Sequence, residues 1–226
     1  AQTDIPWPMA GANPERTSWS PETLPGNLAA TWVKPISPYV SQHVQVIGAE
    51  GKVYVATANG LYAFDAATGA TAWIYPTELP LGHSPTYSNG FLYVGGMDRK
   101  IHKDNAGSGA RVWLSSTDAQ GGFYTNPVVV NGRVFAGNRA GAFYAIDAQT
   151  GNQVWKFQTG NQILQSPAFK DNVLYFASND SYAYALNAAD GSLIWKSGNK
   201  LPGMGSYSWW PVIYQNYIIF TRTAFE

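Results

Sequence analysis

The sequence predicts an all-β fold, a β-propeller of four-stranded antiparallel blades with four complete blades and two partial ones. Two observations predict it. A tryptophan recurs every 40 to 42 residues, and a glycine stands four residues before each of the last four of these tryptophans. In each unit the tryptophan segment is one of four short β-type runs. Four strands repeated with a period near 40 residues are typical of propeller blades.

The recurrent motif around each tryptophan is the first element of the unit to justify. Trp32 begins the series, and an Asp or Asn opens the turn that precedes each later copy. Such a side chain caps the local backbone, and glycine supplies the positive φ that the turn requires. A large flat ring in every repeat suits packing between neighbouring blades. The structural repeat residues are Asp65, Gly69, Trp73, Gly109, Trp113, Asp147, Gly151, Trp155, Gly191 and Trp195.

Three alternating runs precede each tryptophan strand. The first run begins at a proline, as in Ser84-Pro85 and Ser166-Pro167, which is tolerated at the first residue of a strand because no ladder hydrogen bond is lost. Turn pairs such as Asn89-Gly90 separate it from the second run. A further turn leads to the third run, which ends at the motif. The unit is therefore predicted as four consecutive antiparallel strands.

Both ends of the chain depart from the repeat. Residues 1–27 hold five prolines and predict an extended lead-in, while residues 28–34 predict a tryptophan strand without its first three strands. The last unit is predicted to have only an opening strand at 210–215 and a second strand at 217–223. Residues 28–226 are thus interpreted as a propeller that is incomplete at its C-terminus. We expect it to be a fragment of a seven- or eight-bladed propeller.

Composition and the N-terminus restrict the function classes. Net charge is zero and no basic stripe is present, which argues against a nucleic-acid partner. No apolar run approaches the length of a transmembrane segment, and the absence of cysteine excludes disulfides and thiolate metal sites. The start Ala1-Gln2-Thr3-Asp4 is typical of a mature exported chain, which predicts an extracytoplasmic location: periplasmic, secreted or cell surface. A trimmed chain is the alternative interpretation.

The repeat motif resembles that of a known family. The segments from Ala63 to Trp73 and from Ala145 to Trp155 read Ala-x-Asp-x-x-Thr-Gly-x-x-x-Trp, as in the PQQ-like (quinoprotein-type) repeat family. The copy with Lys103, Asn105 and Ser108 departs most. The resemblance covers essentially the whole chain and implies a propeller. It implies no single activity, because the family contains PQQ-dependent alcohol and glucose dehydrogenases as well as BamB-type assembly lipoproteins and sensor domains that bind no quinone.

The acidic residues bear on whether the chain could be a dehydrogenase of this family. The resemblance implies that such an enzyme would hold Ca²⁺ with Glu, Asn and Asp, would use an Asp base and would often carry adjacent cysteines, which this chain lacks. Asp65, Asp147, Asp171 and Asp190 are already explained as turn residues. The sequence therefore predicts no metal site and no catalytic residue. A cofactor is not expected, and PQQ with Ca²⁺ is kept as the alternative.

The candidate ligand-binding residues stand just before the proline of each opening strand. Because opening strands lie innermost in a propeller, these residues approach the axial channel. They are His83, Ser84, Thr125, Asn126, Gln165, Ser166, Trp209 and Trp210, with Gln45 in the first unit. They either bind a small ligand or solvate the channel and cap the strands. Trp209 and Trp210, beside Tyr207, either form a stacking surface or pack under the lead-in.

The function that the sequence favours is an exported, non-catalytic binding or scaffold propeller. It would act through protein partners in the cell envelope or at the cell surface, since low charge and abundant aromatic residues suit an assembly partner. A quinoprotein oxidoreductase acting on alcohols or sugars is one alternative. A carbohydrate-binding propeller that uses Trp209 and Trp210 is the other.

Overall fold

A computed structural model describes residues 7–21, 26, 29–203, 205 and 209–221. In these residues 18 β-strands form four four-stranded sheets and one two-stranded sheet, and no helix occurs. Within each sheet, strands adjacent in sequence are hydrogen-bonded and antiparallel. The predicted all-β propeller architecture with four complete blades is confirmed.

The four complete sheets are numbered as blades in chain order. Blade 1 contains β1 (Ile47–Ala49), β2 (Lys52–Thr57), β3 (Gly60–Asp65) and β4 (Thr71–Pro76). Blade 2 contains β5 (Thr86–Ser88), β6 (Phe91–Gly95), β7 (Ile101–Asn105) and β8 (Arg111–Leu114). Blade 3 contains β9 (Val128–Val130), β10 (Arg133–Gly137), β11 (Ala142–Asp147) and β12 (Gln153–Gln158). Blade 4 contains β13 (Ala168–Lys170), β14 (Val173–Ala177), β15 (Ala183–Asn187) and β16 (Leu193–Lys196).

The two partial units differ from their predicted form. The last one is a hairpin of β17 (Val212–Tyr214) and β18 (Tyr217–Ile219), and the end of its predicted second strand lies outside the described residues. In the first one, residues 29–34 form no strand. Trp32 nevertheless contacts Gly69 of blade 1 as the other repeat tryptophans contact the next blade. The ring contact is therefore formed without a strand to carry it.

The repeat motif forms the joint between blades. Four of the tryptophans contact the positive-φ glycine of the next blade's turn, and a Cβ on Gly151 would come within 2.9 Å of the Trp113 ring. These tryptophans are Trp32, Trp73, Trp113 and Trp155. The indole Nε1 of Trp155 donates a hydrogen bond to the Ala188 carbonyl at 3.1 Å, and Trp73 donates to Ala106 at 3.0 Å. Only glycine permits this approach and this φ together. The pairing of the third and fourth strands shifts register once in every complete blade. The shift falls between Ala63 and Phe64, Lys103 and Asp104, Ala145 and Ile146, and Ala185 and Leu186.

The hydrophobic core lies between blades. We call the contact between two neighbouring blades a seam. Seam 1–2 contains Ile47, Leu61 and Leu92, and seam 2–3 contains Ile101 and Tyr144. Seam 3–4 is the most aromatic. Since every blade is a thin sheet, its stability depends on burying both of its faces against neighbours.

Candidate functional site

The axial residues predicted from the sequence lie together at the inner ends of the blades. Six of them are almost fully buried: His83, Ser84, Thr125, Asn126, Gln165 and Ser166. Trp210 is also buried, whereas Trp209 is 48% exposed. Whether a ligand binds this column stays a prediction. The polar groups of the column form hydrogen bonds with one another and with the backbone of neighbouring strands.

Hydrogen bonds across the seams join the column into a belt, which we define by Gln45, Ser84, Asn126, Ser166 and Trp209. The backbone N–H of Gln45 donates to Ser84 Oγ at 2.7 Å, and that of Asn126 donates to Ser166 Oγ at 2.8 Å. The Asn126 side chain donates from Nδ2 to the Ser84 carbonyl at 2.7 Å. The N–H of Ser166 donates to the Trp209 carbonyl at 2.9 Å. The belt therefore connects the inner ends of five consecutive units.

The other axial side chains are bonded mainly within their own blades, and Gln165 Nε2 also donates to the Thr221 carbonyl of the last unit at 3.2 Å. Thr125 Oγ1 accepts from the N–H of Gly137 at 3.1 Å, and Gln165 Oε1 accepts from the N–H of Ala177 at 3.0 Å. His83 Nδ1 accepts from the N–H of Ser84 at 2.8 Å. Buried polar groups require such partners, because an unpaired one costs free energy on folding. Every predicted polar residue of the column thus has a structural role.

Arg16 is the axial residue that sequence reasoning missed. Its fully buried guanidinium donates from Nε to the Pro167 carbonyl at 2.9 Å and from Nη2 to the Asn126 carbonyl at 3.1 Å. Its Nη1 donates to the Ala10 carbonyl and to Asn126 Oδ1. Burial lowers the pKa of Arg16 to about 9, which still leaves the group charged at neutral pH. A single arginine in a proline-rich lead-in carries no sequence signal for this position.

The lead-in brings Arg16 to the axis by crossing the inner strands. Instead of being extended, it turns between residues 9 and 15. The Pro8 carbonyl accepts from the N–H of Tyr87 in β5 at 2.6 Å, and the Pro14 carbonyl accepts from Phe169 in β13 at 2.9 Å. The Glu15 carbonyl accepts from Ile213 in β17 at 3.0 Å. Segment 7–16 is therefore bonded to the inner strands of blade 2, blade 4 and the last unit.

The two adjacent tryptophans lie in different surroundings, and the stacking role stays a prediction. Trp210 packs under the lead-in, since a Cβ on Gly11 would lie 3.1 Å from its ring and the Arg16 guanidinium lies 5.6 Å from its ring centroid. Trp209 remains half-exposed and meets His43 edge-on at 6.4 Å between ring centroids. The buried Nδ1 of His43 has no hydrogen-bond partner among the described residues. Tyr207 lies outside the described residues.

The side chains available as metal ligands decide whether a calcium site can form. Calcium takes six to eight oxygen ligands, several of them carboxylates. Within the described part of the chain, no group of three or more His, Cys, Asp or Glu side chains could hold a metal ion. Both side-chain amides of the belt are already engaged: Asn126 is bonded to Arg16 and to the Ser84 carbonyl, and Gln45 Oε1 accepts from the N–H of Gly11. The described residues therefore do not fit the calcium site of a quinone enzyme.

A second polar site lies away from the axis, in seam 1–2. A cleft of about 360 Å³ runs between β4 and β8, and Tyr75, Asp98, His102 and Arg111 are among its lining residues. The two ring nitrogens of His102 are both engaged: Nε2 lies 3.1 Å from Asp98 Oδ2 and Nδ1 lies 3.2 Å from the Tyr75 hydroxyl. The sequence signal that could have found this site is the departure of the second repeat copy at residues 102–105.

The electrostatics of Asp98 follow from that geometry. Burial works to raise the pKa of Asp98, but the hydrogen bond from His102, the charge of that ring and the N–H of Lys100 bring it below its usual value. A carboxylate only accepts hydrogen bonds, so Nε2 of His102 is the donor to Asp98. Burial raises the pKa of Tyr75, and the nearby Asp104 raises it further. Tyr75 therefore keeps its phenolic proton at neutral pH.

Comparison with known proteins identifies a family and a fold. The sequence model of the family described as outer membrane protein assembly factor BamB matches residues 16–120 and 98–223. BamB of Nitrosomonas eutropha is 29% identical over 120 residues, which are 52% of this chain and 28% of that protein. Tetrathionate hydrolase of Acidithiobacillus ferrooxidans is 29% identical over 147 residues, which are 63% of this chain and 29% of that protein. The matched part thus spans under a third of each relative.

A solved structure supports the same architecture. Quinohemoprotein alcohol dehydrogenase from Comamonas testosteroni superposes with a TM-score of 0.80 over 94% of this chain and 44% of its own, at 18% identity. Likeness at that identity shows the fold alone. The described residues contain no helix that is long and apolar enough to cross a membrane.

Proposed function

This chain belongs to the PQQ-like repeat family described as outer membrane protein assembly factor BamB, and we propose that it acts as a non-catalytic binding or scaffold propeller. Its partners would be proteins of an envelope or surface assembly, and its location extracytoplasmic. The BamB relatives support this proposal because they are outer membrane protein assembly factors. An assembly factor needs surfaces for other proteins and no reaction centre.

The observation that carries the proposal is the occupied axis. In this fold, ligands enter where the inner strands converge, and here the chain's own Arg16 and belt take up the polar groups of that region. A ligand there would have to displace hydrogen bonds that hold five units together. Function is therefore better placed on the outer surface than in the channel.

The surface offers apolar groups suited to protein contact. Tyr39 is 71% exposed and borders a groove of about 200 Å³ whose lining includes Val44, Pro80, Met97 and Tyr124. Contiguous exposed apolar surface marks interaction sites in soluble proteins, and interface cores favour aromatic residues and methionine. We assign this groove as the first place to look for a partner protein.

A site-specific crosslinking experiment tests the proposal. A photocrosslinking amino acid at Tyr39 should trap a defined partner in the native envelope fraction, and the same probe at Tyr217 serves as an equally exposed control. Enrichment of one protein with the Tyr39 probe supports a binding role. A monomeric protein with no crosslinked partner from either position would overturn it.

A quinoprotein oxidoreductase is kept as the second candidate because quinohemoprotein alcohol dehydrogenase ADH-IIG of Pseudomonas putida is 26% identical over 180 residues, which are 68% of this chain and 25% of that protein. PQQ would supply the redox chemistry, and among the described residues no group of three or more His, Cys, Asp or Glu side chains is placed to hold its calcium ion. Reconstitution with PQQ and Ca²⁺, followed by dye-linked oxidation of alcohols or aldoses, decides this alternative. Quinone absorbance with turnover would replace the scaffold proposal, and the absence of both would remove the enzyme candidate.

A carbohydrate-binding role is the third candidate, favoured by Trp209. The half-exposed ring stands 5.8 Å from the Trp210 ring, nearly perpendicular to it, and beside the orphaned nitrogen of His43. Aromatic faces with a nearby polar atom bind sugars by stacking and hydrogen bonding. Glycan-array binding that is lost in Trp209→Ala supports this role. A flat array counts against it.

A further inference from the structure

The third strand of blade 2 breaks the repeat at three consecutive positions. The residues opposite the repeat tryptophans are Ala63, Ala145 and Ala185 in three blades, but Lys103 in blade 2. The residue before it is tyrosine in the other blades and His102 here. The residue after it is Asp104, where the other blades have Phe64, Ile146 and Leu186. An ionisable side chain thus replaces an apolar core residue.

Asp104 is buried without hydrogen bonds in seam 1–2. Its exposure is 0%, and neither carboxylate oxygen has a partner among the described residues. It pairs with Leu92 across the β6–β7 ladder, and its face of the sheet belongs to the core shared with blade 1. Native proteins rarely bury an acid in this way, because an ionised carboxylate loses its hydration there.

The titratable groups around Asp104 come from each neighbouring element. Tyr75 faces it from β4, His102 precedes it on β7 and is bonded to Asp98, and Arg111 lies opposite on β8. The β6 residues on this face, Leu92 and Val94, are apolar. Lys103 points to the opposite side, where its Nζ donates to the Ala148 carbonyl at 2.8 Å and lies 4.1 Å from the Phe91 ring centroid.

We propose that the carboxyl group of Asp104 is a pH-sensitive latch on the seam between blades 1 and 2. When the carboxyl is protonated, the seam is closed and its core is uncharged. When it is ionised, a buried carboxylate without a hydrogen-bond partner lies in the seam, and the seam loosens. The lining of the neighbouring cleft, Tyr75 and His102 in particular, moves with that seam because these residues bridge β4 and β7.

The direction of the pH dependence follows from linkage. Burial raises the pKa of Asp104 from 3.8 to about 7, against the opposing charges of His102 and Arg111. The folded state therefore holds this proton more tightly than the unfolded state. The resulting stability is fully present below about pH 4 and is lost as the pH rises to about 7. Protonation of Asp104 therefore favours a closed seam in mildly acidic surroundings.

Carboxyl NMR of the protein labelled with ¹³C-Asp is the direct test. The Asp104 signal should titrate with a midpoint near 7, roughly 1000-fold tighter in proton affinity than an ordinary aspartate. Asp118, an exposed acid bonded to Lys156, serves as the internal control and should titrate below its usual value. An Asp104 midpoint near 4 would overturn the proposal.

Stability and exchange measurements test the latch itself. The urea midpoint of the wild type should fall by about 1 M between pH 5 and 8, and this fall should be absent in Asp104→Asn, which cannot ionise. Hydrogen exchange corrected for intrinsic rates should speed up in β4 and β7 at pH 8, but not in β12 and β15. Equal pH dependence in wild type and variant, or uniform exchange changes, would refute the idea. If Asp104→Asn does not fold, NMR and exchange on the wild type decide.

Discussion

Seams 1–2 and 3–4 share the same strand arrangement but differ in the side chains that fill them: seam 3–4 is apolar, whereas seam 1–2 contains ionisable residues. In seam 3–4, Phe143 and Phe176 stack at 4.3 Å between centroids and Leu186 is fully buried. In seam 1–2, Asp104 occupies the position of Leu186, and His102 with Tyr75 replaces part of the apolar packing. The repeat therefore determines how blades join, through glycine and tryptophan, while the filling of each seam is free to diverge. Divergence toward buried charge lowers stability and gives the seam a response to pH.

The largest expected effect comes from moving the acid into the apolar seam. Leu186→Asp should destabilise the protein by about 3–5 kcal/mol at pH 8, because a carboxylate would be buried among aromatic rings with no partner. The loss should shrink at pH 5 as the carboxyl protonates. Urea unfolding at both pH values measures it, with Leu186→Asn as the uncharged control. Equal losses for the two variants at pH 8 would mean that seam 3–4 tolerates charge as seam 1–2 does.

A smaller effect tests what the two seams share. Gly109→Ala in seam 1–2 and Gly191→Ala in seam 3–4 should each cost about 1–3 kcal/mol, since both glycines have positive φ and a Cβ would lie 2.5 and 2.6 Å from the tryptophan ring. Gly90→Ala is the matched control, with φ +82 and no atom within 4 Å of a Cβ. Thermal unfolding compares the three. A loss at Gly191 alone would break the view that the joint is common to all seams.

The parts of the fold that the sequence predicts are the ones whose causes are local and repeated. Asp65 and Gly69 signal a turn by their own conformational preferences, and four in-register copies make the blade pattern unmistakable. The axial column was also predictable, because proline marks the start of each inner strand. The hydrogen bonds of the belt could not be predicted. Each joins residues about 40 positions apart, and no local conformational preference determines how close such residues come.

The surroundings of the two buried ionisable residues, Arg16 and Asp104, also depend on contacts between residues far apart in the sequence, so they could not be predicted from it. Arg16 reaches Asn126 and Pro167 only because the lead-in turns back across the axis, and residues 7–16 show no period that would predict this path. Asp104 is visible in the sequence as a mismatch in the repeat. Its burial, its unpartnered oxygens and its neighbours Arg111 and Tyr75 depend on how two blades meet. A mismatch in a repeat is therefore a useful signal that needs the fold for its interpretation.

A still smaller effect is expected when the histidine of seam 1–2 is returned to the repeat residue. Tyr184 in blade 4 donates its hydroxyl to Asp180 at 2.5 Å, so His102→Tyr should keep the corresponding bond to Asp98 and lose the one to Tyr75. The free energy of unfolding should fall by about 0.5–1.5 kcal/mol. The pKa of Asp104 should rise, because the imidazole charge that lowers it is removed. Carboxyl NMR that shows a lower Asp104 midpoint in the variant would contradict this.

The smallest effect concerns a carboxylate that water can reach. Asp118 is 59% exposed and accepts a hydrogen bond from Lys156 Nζ at 2.9 Å, which holds the pKa of Asp118 below its usual value. Lys156→Gln should raise that pKa but change the free energy of unfolding by less than about 0.5 kcal/mol, since solvent screens exposed ion pairs. Urea unfolding with and without 1 M NaCl measures it, because salt should remove the difference. A loss as large as that of Leu186→Asp would show that exposure does not separate this acid from Asp104, and the contrast between buried and solvated carboxylates in this propeller would fail.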